Sequence, residues 1–107
     1  MANSKNTTDY KAYATVDTAP AAGGYWTGPI SMRDLKEERT FFSVRGTGVM
    51  TVTLQFKCPD DADWTDFGNY VIGDRKLLEG GAAGVLWRMG VAFGDWTSGS
   101  LTFGFDW

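Results

Sequence analysis

Three aspartates within four positions, Asp60, Asp61 and Asp63, form the densest group of ionisable side chains in the chain. Grouped carboxylates can do two kinds of chemistry. A pair facing each other across a cleft can hydrolyse a glycoside by acid–base catalysis, and a converging set can bind Ca²⁺ through oxygen. The local sequence favours neither. Pro59 precedes the group and Trp64 follows it, and Asp in such a setting hydrogen-bonds the nearby backbone to close a turn. The glycine and the distal glutamate of an EF-hand loop are missing.

The remaining reactive residue types narrow the chemistry further. The chain has no histidine, which removes Ser-His-Asp and Cys-His nucleophiles and histidine metal sites. Cys58 stands alone beside Pro59 with no base to activate it, so it reads as a small turn residue and permits no intrachain disulfide. Gly46, Thr47 and Gly48, and the pair Gly80 and Gly81, lack a following Gly-Lys-Ser/Thr and read as turns rather than phosphate loops. No catalytic residue, metal or cofactor is expected. What is left is contact chemistry. Tyr25, Trp26, Trp64 and Trp96 lie beside turn residues, where aromatic rings can anchor a protein interface or stack on a sugar, or else cap the ends of a sandwich. Asn3, Lys5 and Asp9 belong to a small, polar leading segment, residues 1–9, read as a flexible arm that orders against a partner.

The elements that must position these residues are strands. Fourteen glycines, three prolines and an aromatic content of 15% suit many strands joined by tight turns. From Tyr10 to Asp17, Tyr10, Ala12, Ala14 and Val16 alternate with Lys11, Tyr13, Thr15 and Asp17, the period of a half-buried strand. Residues 25–27 make a short strand ended by Gly28 and Pro29. The RDLKEER run, residues 33–39, reads as a solvated connection. Phe42 and Val44 point one way, and Gly46 to Gly48 is expected to turn the chain. Met50, Val52, Leu54 and Phe56 then share a face. Residues 64–72 and 75–78 read as further strands. Near the end, Val85, Trp87, Met89, Val91 and Phe93 lie on one face, residues 94–99 read as a loop, and Leu101, Phe103, Phe105 and Trp107 resume the alternation. Trp87, Phe93, Phe103 and Phe105 are therefore assigned to the core. Seven or eight strands predict one all-β domain over residues 10–107, an antiparallel β-sandwich or jelly roll behind the arm.

Charge limits the partners. Ten Lys and Arg stand against thirteen Asp and Glu, for a net charge of −3, whereas nucleic-acid binders present a basic face. Neither nucleic acid nor a membrane is expected as a partner, and the polar start of the chain reads as neither signal peptide nor membrane span.

Four runs in order, GTGVMTVTLQ (residues 46–55), the Asp-rich turn closing on Trp64, GAAGVLWRMGV (residues 81–91) and GDWTSGSLTFGF (residues 94–105), resemble small virion proteins of tailed bacteriophages. In those proteins a strand reading G-T-x-T-V-T-L-Q precedes an Asp/Gly turn and a Trp. The end of the chain there runs like G-x-Y-T-S-G-T-V-T-V. The pattern departs at the middle turn, where Ala62 and Asp63 replace the usual glycines. The resemblance implies a β-sandwich structural component of the virion, a head decoration (cement) protein or a tail-associated part, assembled in the host cytoplasm. Its partners would be the major capsid protein or other virion proteins, and it would act as a homo-oligomer, with a trimer expected. A carbohydrate-binding module or adhesin using Tyr25, Trp26, Trp64 or Trp96 on a glycan is the alternative from another class.

Overall fold

Alternation of apolar and polar residues gives a strand one face that must leave water, and two sheets meet that need by packing those faces together. The computed structural model of the protein describes residues 4–8, 11–32, 39–79 and 84–107. Within them lie ten strands: β1 Ser4–Thr8, β2 Lys11–Val16, β3 Tyr25–Trp26, β4 Ile30–Ser31, β5 Arg39–Met50, β6 Val52–Lys57, β7 Thr65–Tyr70, β8 Arg75–Glu79, β9 Leu86–Val91 and β10 Trp96–Asp106. They form two antiparallel sheets. The first has the order β1-β2-β10-β5-β8 and the second β3-β9-β6-β7, with β4 also on β9. The architecture is the all-β sandwich that the alternation predicts.

The core is the set of inward positions. Ala12, Ala14 and Val16 of β2, Phe42 and Val44 of β5, and Leu101, Phe103 and Phe105 of β10 face Val52 and Leu54 of β6 and Trp87, Met89 and Val91 of β9. Phe42 meets Tyr70 edge-on across the gap, ring centroids 4.8 Å apart. At one end Trp87 packs against Phe56 (5.6 Å) and Phe67 (5.2 Å). Phe67 reaches this cluster because the β6–β7 register slips there: Leu54 opposes Gly68 and Gln55 opposes Asp66, leaving Phe67 as the extra residue of a bulge. A bulge re-aims a side chain in this way.

The chain's longest ribbon differs from the sequence expectation. Gly46, Thr47 and Gly48 do not turn the chain; β5 runs straight through them, paired with Leu101, Ser100 and Gly99 of β10. A Cβ at Gly48 would collide with the Ser98 carbonyl, and one at Gly99 with the Thr47 carbonyl. These glycines therefore serve close strand approach rather than reversal. The real break falls at Thr51, between β5 in the first sheet and β6 in the second. Residues 96–99, expected as loop, belong to β10 for the same reason. Phe93, expected in the core, is 69% exposed. It sits in the turn that the Asp95 N–H closes on the Ala92 carbonyl, which ends the alternation two residues early.

Other expectations meet the structure piecemeal. Within the segment read as an arm, Ser4–Thr8 run as an edge strand paired along β2 from Ser4↔Thr15 to Thr8↔Lys11, which satisfies backbone groups on the outer side of β2. Residues 33–38 of the expected connection and 80–83 of the expected loop lie outside the described residues. No helix among the described residues is long and apolar enough to cross a membrane.

Two substitutions separate the inward from the outward aromatics. Trp87→Ala should cost roughly 3–5 kcal/mol, as large-to-small core changes do. Phe93→Ala should stay within about 0.5 kcal/mol of the parent. Chemical denaturation of both variants checks the pair, and equal losses would refute the assigned faces.

Candidate binding site

The outer face of the second sheet carries a row of polar side chains set by register. Gln55 of β6 lies opposite Arg88 of β9 on one side and Asp66 of β7 on the other. Arg88 Nε donates to Gln55 Oε1 at 2.9 Å, and Gln55 Nε2 donates to Asp66 Oδ1 at 2.8 Å. The carboxylate thus reaches the guanidinium only through an amide relay. Among the described residues no acid pairs directly with Arg88, and burial draws its pKa below the ordinary arginine value.

Two indoles cover this cation. The Arg88 guanidinium carbon lies 4.2 Å from the Trp26 ring centroid and 4.2 Å from that of Trp64, well inside cation–π range. Lys57 adds a second cation at 6.0 Å from Trp64. Trp26 is placed from β3, which pairs with β9 so that Trp26 opposes Gly90. A Cβ at Gly90 would overlap the Trp26 ring and the Tyr25 carbonyl, so the bare glycine is what lets the indole lie flat on the sheet. Trp26 Nε1 donates to the Gly23 carbonyl at 2.7 Å, which fixes the far end of the ring. Thr27 locks the same edge to β9: its N–H donates to Met89 O at 2.7 Å and its Oγ1 accepts from Met89 N–H at 3.1 Å. Trp64 enters from the connection between β6 and β7.

Tyr25, Trp26, Pro29, Trp64 and Arg88 line an open cavity of about 340 Å³. Its chemistry is a planar cation between two aromatic plates. Arg88 has five N–H donors, and one is committed, to Gln55. The rest suit a carboxylate or another oxygen-rich group that approaches in the guanidinium plane.

Of the residues singled out from sequence, the structure gathers the Trp26 and Trp64 rings here; Tyr25 borders the cavity but, paired with the inward Val91, packs against the core. Trp96 is elsewhere: it packs against the core, and its Nε1 donates to Gly99 O at 3.2 Å. Lys5 lies in β1, in the other sheet, and Asn3 and Asp9 lie outside the described residues. Sequence reasoning missed Arg88 and Gln55. Alternation did put both on the outward face, but their meeting depends on a pairing between strands more than thirty residues apart.

The aspartate group closes a turn. Cys58 N–H donates to Asp61 Oδ2 at 2.9 Å, and Asp61 N–H returns to Cys58 O at 3.0 Å. Asp74 repeats the device with Val71, at 2.9 and 3.1 Å. Among the described residues no three acidic or thiol groups converge as metal ligands. Comparison with protein families, curated proteins and solved structures finds no match to the chain.

Two predictions follow from these contacts. Gly90→Ala should lift Trp26 from the sheet at a cost of about 1–3 kcal/mol, as overpacking does. Denaturation and the Trp26 indole N–H resonance would both register the change, and an unmoved resonance would refute the placement. The Cys58 thiol is pushed above its ordinary pKa by desolvation and then by the Asp61 carboxylate. A raised thiol pKa means less thiolate at pH 8, so iodoacetamide should alkylate the folded protein more slowly than the unfolded chain. A folded rate equal to or above the unfolded one would contradict this.

Proposed function

We propose that the chain is a structural protein of a tailed-bacteriophage virion that decorates and stabilises the head by bridging capsid subunits, with the Trp26–Arg88–Trp64 stack as an anchoring contact. The observation that carries the reading is this stack, held in place before any partner arrives. Trp and Arg are among the residue types that dominate binding energy at protein interfaces, and here two Trp rings and one Arg share one cavity. Preorganisation matters because ordering a long side chain on binding costs about 0.5–1.5 kcal/mol. Arg88 has met much of that cost in the free protein, through both rings and Gln55. The partner class, the major capsid protein or another virion protein, is what the resemblance of the motifs in residues 46–105 to phage virion proteins implies. A sandwich is a stiff body, and several modest contacts made at once on an assembled shell reinforce one another through effective concentration.

A second reading has its own support. Indoles beside Gln55 and Asp66 also suit a sugar ring, which stacks on an aromatic face and hydrogen-bonds at its rim.

The test mixes purified protein with undecorated heads and measures co-sedimentation and heat resistance. Binding should be strong to assembled heads and weak to free subunits. Arg88→Ala should weaken it roughly 30-fold, the loss of about 2 kcal/mol that defines a hot spot, while circular dichroism stays unchanged. No binding to heads together with location at the tail would leave the tail-associated version standing. Selective binding on a glycan array, lost in Arg88→Ala, would favour the adhesin.

A further inference from the structure

β8 ends the first sheet. Its inner side pairs with β5 from Arg39↔Glu79 to Ser43↔Arg75, and among the described residues no strand pairs with its outer side. An open edge offers a row of unpaired N–H and C=O groups to any strand that can match it. The side chains on this edge are particular. Leu78 is buried toward the core, while Leu77 is 44% exposed on the outer face beside Phe41, its cross-strand partner, at 45%. Arg75 stands on that same face, its guanidinium carbon 4.9 Å from the Phe41 ring centroid. An outer cavity of about 460 Å³ runs along this surface between Arg75, Leu77, Asp106 and Trp107.

Read against itself in the antiparallel sense, the β8 sequence RKLLE is self-complementary. With Leu77 opposite Leu77, Arg75 falls opposite Glu79 at one end and Glu79 opposite Arg75 at the other. Lys76 then faces Leu78, so no like charges are opposed. We propose that β8 pairs with β8 of a second copy, antiparallel about a two-fold axis through Leu77, to join two five-stranded sheets into one continuous sheet.

Register and composition support that occupant. Residues directly opposite each other must point to the same side of a sheet, so the allowed shifts come in even steps of pairing. The shift in one direction sets Lys76 against Lys76. The shift in the other sets Leu77 against Glu79 and loses both Arg–Glu pairs. Only the Leu77-centred register matches charge at both ends. It also joins the two Phe41–Leu77 pairs into one apolar stripe across the axis, where cross-strand apolar and opposite-charge pairs each stabilise the ladder. An isologous contact of this kind closes on itself and stops at two copies, so it is a different association from the trimer expected from sequence. Five residues a side make a small interface, below the roughly 1,200 Å² of standard stable pairs, so the dimer is expected to be concentration-dependent.

Analytical ultracentrifugation with charge-reversal variants tests the pairing. Wild type should show a reversible monomer–dimer equilibrium. R75E puts carboxylates opposite each other at both ends, and E79R puts guanidinium groups there. Each variant alone should sediment as a monomer at concentrations where wild type is half dimeric. Mixed in equal amounts they should dimerise again, because each end then carries one opposite-charge pair, and the double variant R75E/E79R should dimerise by itself. Leu77→Lys should abolish association in every background. All four are exposed-site changes and should leave the circular dichroism spectrum unaltered. A wild-type chain that stays monomeric up to about 1 mM, single variants that associate like wild type, or a mixture that fails to recover the dimer would overturn the proposal.

Discussion

One hydrogen bond at a corner, from Thr51 N–H to the Asp95 carbonyl at 3.1 Å, joins the two sheets where the main ribbon changes from one to the other. β5 and β6 are a single run of chain broken only at Thr51, and β9 and β10 are a second run broken only at residues 92–95. The two runs lie antiparallel throughout: β5 on β10 in the first sheet, β6 on β9 in the second. The sandwich is therefore not two independent sheets pressed together. It is one long two-stranded ribbon folded over, with the remaining strands added at its sides. Met50 and Val52, on either side of the corner, are both buried, so the fold line is sealed by the core itself. The β10 bulge between Trp96 and Ser98 supplies the extra residue that such a bend requires.

That constraint reaches the outer face of the second sheet. Arg88 and Gln55 meet because β6 and β9 hold one register from the corner to Lys57↔Leu86. A one-residue slip would turn Arg88 into the core and Met89 out to solvent, and the buried Met89, Trp87 and Val91 forbid it. The position of the guanidinium is thus fixed by apolar packing on the opposite side of its own strand. Burial withdraws water from a cation that has no direct acidic partner among the described residues, which is a cost. Two ring faces and the Gln55–Asp66 relay offset it locally.

Much of this was legible in the sequence, and the part that was not shares one physical cause. Period-two alternation named the inward faces of β2, β5, β6, β9 and β10 because burial on one side of a pleated strand leaves that signature whatever the partner. It failed where local composition has two physical meanings. Gly46 and Gly48 look like turn glycines, yet they make room for the backbone of a strand about fifty residues away. Phe93 continues a perfect alternation, but the turn that follows reverses before the residue can face inward. The site divided in the same manner: Trp26 and Trp64 were visible as aromatics near turns, Tyr25 shared that signature but packs against the core, and Arg88 became recognisable only once the sheet had chosen its neighbours.

Trp26 lies flat only because Gly90, across the strand pair, has no side chain, and this ties the two positions together in inheritance. A change at position 90 alone to any larger residue evicts the indole, and a small residue at position 26 would still leave the Tyr25 carbonyl in the space that a Cβ at position 90 needs. The dependence is therefore one-sided. Related chains that keep β3 against β9 should hold glycine at position 90 whatever stands at position 26, while an aromatic at position 26 should appear only over glycine. The history of the site would then show the glycine first and the indole as a later addition to space that the strand pair already required.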